Sequence, residues 1–236
     1  IDPLKIYKTI DELNYLFGTK LKKELYFKLH VIEKNLNKLW PEGKHERKLI
    51  ETIWKLLLHS NDEEIKRKLI FYVDSNSMTL AKAALNSFSR IDCPERQTIS
   101  NIFFNKWKNN SVVLDSWFSF NASIETDKNT RSIEKLFEND FFDSKSPNTL
   151  RAILNTFVTR NSIFHAMDGS GYRYIAKKII DFDKLNPIVI SRFVKVFSRY
   201  NYYSDPYKSN MIETIKQIKK NKLSTNTKEV LDAIID

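Results

Sequence analysis

Apolar residues recur along this chain at spacings of three and four almost from end to end. Ile6, Ile10, Leu13 and Phe17 fall on one face of a helix. Leu21, Leu25, Leu29, Ile32, Leu36 and Leu39 carry the pattern through a second segment, which Pro41 and Gly43 stop. Leu49, Ile50, Ile53, Trp54 and Leu57 make a third stripe. Ile65, Leu69 and Tyr72 make a fourth, behind an Asn61-Asp62 pair suited to accept the unpaired first-turn amides. Pro94 suits the first turn of a helix holding Ile99, Ile102, Phe103 and Trp107, and a short helix carries Val112, Val113, Trp117 and Phe118. Ser146-Pro147 reads as an N-cap followed by proline at the first helical position, opening a helix with Leu150, Ile153, Leu154 and Phe157. After a glycine-dense turn at 168–171, helices are predicted at about 171–182, 187–200, 205–220 and 225–235.

Segments of this length joined by short links form helix pairs, each burying a stripe against its neighbours. The predicted fold is all-α: a superhelical, solenoid or HEAT-like array of antiparallel helix pairs, roughly a dozen helices in all. No strict repeat is visible, and no linker or shift in composition divides the chain, so residues 1–236 read as a single domain. Composition supports this. The 236 residues include only 4 Gly and 6 Pro, too little turn material for a sheet-rich fold, and 13% are aromatic, which argues against disorder.

The net charge of +10 raises nucleic acid as a partner. The bases are mostly lysines scattered among acids, as in Glu33-Lys34 and Glu64 with Lys68, whereas nucleic-acid binding needs a clustered patch. No nucleic-acid partner is therefore expected. No apolar run approaches the roughly 20 residues of a membrane span, and no signal-peptide pattern opens the chain, so no membrane partner is expected either. The single cysteine, Cys93, fits a reducing, cytoplasmic location. The first residue is not Met, and the chain reads as a fragment or processed product.

Candidate chemistry is sparse. His45-Glu46 begins like the zincin motif HExxH, but Leu49 stands where the second histidine would be, and leucine cannot ligate a metal. His30, His59 and His165 have no His or Cys neighbour one turn away, and Cys93 lacks a CxxC partner and reads as a small packed side chain. Asp168-Gly169-Ser170-Gly171 lacks the spacing of a phosphate loop and reads as a tight interhelical turn with glycines at left-handed angles. The chain's own residues indicate no catalytic site, no metal site and no cofactor.

Four stretches read together resemble a known family: Asn76-Ser77-Met78-Thr79 with the helix at 80–89 and Cys93; Lys106-Trp107 through Val113, Asp115, Trp117-Phe118 and Ala122; Ser146-Pro147-Asn148 through Arg151, Phe157, Phe164-His165-Ala166 and Asp168-Gly169-Ser170-Gly171-Tyr172; and Asn186-Pro187 with Ser191-Arg192 and Arg199-Tyr200. In this order they resemble the helical C-terminal domain of M1-family zinc aminopeptidases of the bacterial aminopeptidase N type. The FHAxDGSGY block is the most specific part, and the clear match covers about residues 70–236.

The resemblance implies a non-catalytic domain of an enzyme that removes N-terminal amino acids from peptides. The zinc, with its HExxH and GxMEN motifs, would reside in a separate catalytic domain of the same polypeptide. The helical domain would close the active-site chamber and line the route for peptide substrates. It further implies that Arg151 and Arg192 face the chamber and that Ile188 borders the pocket for the N-terminal residue, favouring apolar side chains. Ile188 and Arg192 are four apart and so share a helix face. The competing reading of both arginines is pairing with local acids. His165 is expected to tie its turn together, and Trp107, Trp117 and Phe118 to be core. The alternative function is a free-standing helical-repeat adaptor for proteins or peptides; an RNA-binding solenoid would need base-reading repeats, which are not seen.

Overall fold

A computed structural model describes residues 1–36, 43–124 and 130–235. Among these the chain is helical throughout, with thirteen α-helices, two 3-10 segments and no strand. In chain order the helices are α1 (Pro3–Lys20), α2 (Lys22–Glu33), α3 (Lys44–His59), α4 (Glu63–Val73), α5 (Met78–Ser87), α6 (Pro94–Trp107), α7 (Ser111–Ala122), α8 (Arg131–Phe137), α9 (Pro147–Arg160), α10 (Ser170–Phe182), α11 (Pro187–Val194), α12 (Tyr207–Lys219) and α13 (Thr225–Asp232). The 3-10 segments are Ser162–His165 and Lys195–Tyr202. They form two compact units, residues 7–120 and residues 1–6 with 121–236.

In the first unit α3 packs on α2, α4 and α5, and α6 packs on α4 and α5. Most of the stripes expected of α3 and α4 are core: Ile50, Ile53, Trp54, Leu57, Ile65 and Leu69 are nearly or fully sealed from solvent, whereas Leu49 is 40% exposed and Tyr72 half-buried. A side chain of this size contributes about 1.5–3 kcal/mol when fully buried. Asp62, not Asn61, caps α4, its carboxylate accepting the Ile65 amide at 3.0 Å and the Tyr26 hydroxyl at 2.8 Å. Asn61 instead takes a left-handed turn with φ 59°. Leu39 and Pro41, assigned above to the end of the second helical stripe, lie outside the described residues. Of the three aromatic residues expected in the core, Phe118 is sealed, while Trp107 and Trp117 are half-buried at the core's edge.

The stripe of α1 behaves differently from expectation. Ile6, Ile10, Leu13 and Phe17 remain 42–49% exposed. Within residues 7–120 this helix instead approaches α3 at Gly18, where an added Cβ would lie 2.0 Å from the Leu56 carbonyl oxygen.

In the second unit α10 packs on α11 and α12, and α11 packs on α9 and α13. The Ser146 and Pro147 reading holds: the Ser146 hydroxyl accepts the Thr149 amide at 3.3 Å and Pro147 opens α9. The helix predicted over 187–200 ends early, at Val194, and passes into the 3-10 segment. There the Ser198 hydroxyl donates to the Lys195 carbonyl oxygen at 2.8 Å, a side-chain bond competing with the helical ladder. Helix α8 lies in a stretch that periodicity left unassigned. It supplies Glu134, which accepts from buried Lys178 and from the Tyr174 hydroxyl at 2.9 and 2.8 Å.

Candidate functional site

The FHAxDGSGY block folds into a closely packed joint. Asn161 caps the Ser162–His165 turn by accepting the Ile163 amide at 3.0 Å, and donates to the carbonyl oxygens of Ala122 and Ile124 at 3.2 and 3.0 Å. Gly169 has φ 74°, the left-handed angle that glycine adopts without penalty. Gly171 is needed for a different reason: a Cβ there would sit 2.2 Å from the Ile163 carbonyl oxygen and 2.5 Å from that of Phe164, so the first turn of α10 lies directly on the 3-10 turn. His165 is 5% exposed and ringed by Phe164, Tyr172, Tyr203 and Tyr207. Its Nδ1 lies 2.7 Å from the Tyr172 hydroxyl. Burial holds its pKa down to about 4, so the imidazole is neutral at physiological pH. This is a structural joint whose interior around His165 is closed to solvent, while Met167 and Asp168 stay exposed.

The residues singled out for a chamber role sit elsewhere, on the surface. Arg151 is exposed in the first turn of α9, and its guanidinium donates to the Asn148 side chain at 3.4 Å. Ile188 is 62% exposed and Arg192 is exposed on the same face of α11, while Val189, Ile190, Phe193 and Val194 are buried on the other. Because α9 and α11 pack on each other, the structure brings the three residues onto one pair of neighbouring helices. Among the described residues neither arginine forms an ion pair. Two neighbours were missed. Lys195, three residues after Arg192 at the end of α11, could have been found by that spacing; Leu185, 54% exposed in the turn before α11, could not. Exposed forked donors next to an exposed apolar side chain can hold a peptide carbonyl or carboxylate while touching a side chain.

His45 and Glu46 lie in the first turn of α3, with His45 exposed. Among the described residues no group of three or more His, Cys, Asp or Glu is placed to hold a metal ion. No described helix is long and apolar enough to cross a membrane.

This architecture defines an all-α helical-repeat domain with an exposed basic and apolar face. Comparison with known proteins is more specific. The chain belongs to the family described as "Domain of unknown function (DUF3458_C) ARM repeats", whose model matches residues 1–236. It is homologous to the C-terminal region of M1-family aminopeptidase N from several bacteria. It is 26% identical to aminopeptidase N of Escherichia coli over 224 residues, covering 93% of this chain and 25% of that protein. With aminopeptidase N of Haemophilus influenzae it shares 27% identity over 148 residues, covering 62% of this chain and 17% of that protein. Its fold matches aminopeptidase A of Legionella pneumophila, solved with aspartic acid, with a TM-score of 0.87 and 25% identity over all of this chain and 29% of that one. The chain thus spans about a quarter of the length of the relatives it matches. The likeness reaches through the first 70 residues, beyond the 70–236 stretch that motifs alone marked.

Proposed function

We propose that residues 1–236 act as one non-catalytic domain of an M1 zinc aminopeptidase, closing the active-site chamber and lining the route by which peptides reach it. In this reading the metal and the hydrolytic chemistry belong to a catalytic domain of the same polypeptide, in the cytoplasm. This chain binds and orients. Arg151 and Arg192 hold the peptide's carbonyls or carboxylate, and Ile188 borders the side chain of the N-terminal residue. An apolar side chain there favours apolar substrates over an acidic residue such as the aspartic acid bound to the Legionella relative. Homology to aminopeptidases supports the setting. The observation that carries the role is the pair of exposed arginines, neither in an ion pair among the described residues, on the touching helices α9 and α11.

The test is kinetic. In the complete enzyme, Arg192→Ala is expected to lower kcat/KM for a peptide about tenfold more than for a single-residue chromogenic substrate, since only the peptide is long enough to reach the guanidinium. Equal losses on both substrates would overturn the chamber role.

A further inference from the structure

We propose that the groove between α3 and α5 binds an acidic peptide segment. Within residues 7–120 an open cavity of about 910 Å³ lies between these helices. Among the described residues Lys44, Arg47, Lys48 and Lys82 line it, with the carboxylate of Glu51. Among the described residues neither Lys48 nor Lys82 forms an ion pair, and Arg47 and Lys82 are half-buried. A concave surface carrying a net excess of one charge focuses its field and attracts ligands of the opposite sign. Lys44, Arg47 and Lys48 already fall together in the first turns of α3, and the fold adds Lys82 from α5.

The ligand is a peptide segment and not a small anion for two reasons. The cavity has an apolar floor of Leu36, Leu80 and Ala83, which inorganic phosphate would leave uncovered. It is also extended. A second cavity of about 910 Å³ shares Ser75, Asn76 and Leu80 with the first and is also lined by the paired Asp74 and Lys106 and by Phe71, which stands 77% exposed. A chain carrying carboxylates among apolar side chains satisfies both the cations and the floor, and an exposed aromatic ring offers it further apolar surface. The groove lies on the unit that lacks Arg151 and Arg192, so this proposal stands apart from the chamber role.

The experiment is fluorescence anisotropy of a labelled peptide alternating Glu and Leu, titrated with the 236-residue chain. The Glu peptide is expected to bind about tenfold more tightly than its Gln counterpart, and to weaken markedly between about 50 and about 200 mM salt. The double variant Arg47→Glu, Lys82→Glu is expected to lose about tenfold in affinity, and Phe71→Ser about threefold. The double variant Arg47→Lys, Lys82→Arg keeps the charge and should bind as the parent does, which separates charge from folding. Arg151→Ala with Arg192→Ala should leave this binding unchanged whatever it does to turnover. Equal affinity for the Glu and Gln peptides would overturn the proposal. So would charge reversal without effect in a variant whose circular dichroism melt is unaltered, or binding of inorganic phosphate without binding of the peptide.

Discussion

The two compact units solve the same packing problem with different materials. In residues 7–120 the core is largely aliphatic and aromatic side chains around Trp54, with Lys66 and Arg96 as buried cations. The Arg96 guanidinium donates to the Phe88 and Phe120 carbonyl oxygens, at 2.6 Å each, and lies 3.8 Å over the Phe120 ring. Burial lowers its pKa to about 10, still far above neutral, so it remains charged. Residues 121–236 distribute polar groups throughout the core: Asn161, His165, Lys178 and Asp183 are all buried and hydrogen-bonded. Asp183 alone accepts from the Ser224 amide and from the Ser224 and Thr227 hydroxyls, at 2.5–2.8 Å. Apolar packing tolerates many sequences, whereas a buried polar group demands a particular partner. The second unit accordingly carries the most specific motif, the FHAxDGSGY block, while the first 70 residues carry little beyond periodicity.

The largest expected effect comes from the joint in the second unit. Gly171→Ala drives a methyl group into two backbone carbonyls that cannot move independently, and should cost about 3–5 kcal/mol in chemical denaturation. Next, Arg96→Met tests whether the first unit depends on this buried cation. Two buried carbonyls lose their donors, and a loss of about 3 kcal/mol is expected. A loss below about 1 kcal/mol would mean that the aliphatic packing alone suffices there.

Acid should weaken the second unit through His165. Its folded pKa of about 4 lies below the ordinary 6.5, so the unfolded chain takes up the proton first. The contribution is fully present above pH 6.5 and falls away as pH drops toward 4, by about 2 kcal/mol at pH 5. Denaturation midpoints at pH 7 and pH 5 should separate by less in His165→Gln than in the parent. His59, half-buried in the first unit, is depressed in the same direction to about 4 by burial, and should leave a residual acid sensitivity in that variant. The smallest effect should be that of Ser146→Ala, which removes one cap from α9 and costs about 1 kcal/mol by thermal melt.

Much of the fold was legible in the residues. The spacings around Trp54, Ile153 and Ile175 mark buried faces because a helix brings every third and fourth residue together, whatever surrounds it. Serine and proline at 146–147 and aspartate at 62 set helix starts by bonds that span only three residues. Of the candidate site, the shared face of Ile188 and Arg192 follows from the same rule.

Other features required the tertiary structure. Nothing local distinguishes the stripe of α1, left half-exposed, from that of α3, sealed, because burial depends on which neighbour arrives. Gly171 was expected to take a left-handed angle; its real constraint is the approach of the Ile163 carbonyl from the preceding 3-10 turn. Arg96 and Lys178 look like surface cations in sequence, and only their distant partners, Phe120 and Glu134, make them interior residues.

The sequence by itself determined most of the helices, several of their caps and the family, since these rest on periodicity and on interactions within a turn or two. The tertiary structure alone decided which stripes are core, which cations are buried and where α3 and α5 gather positive charge. Those outcomes depend on packing between segments far apart in the chain, and no short window of sequence contains both sides of such an encounter.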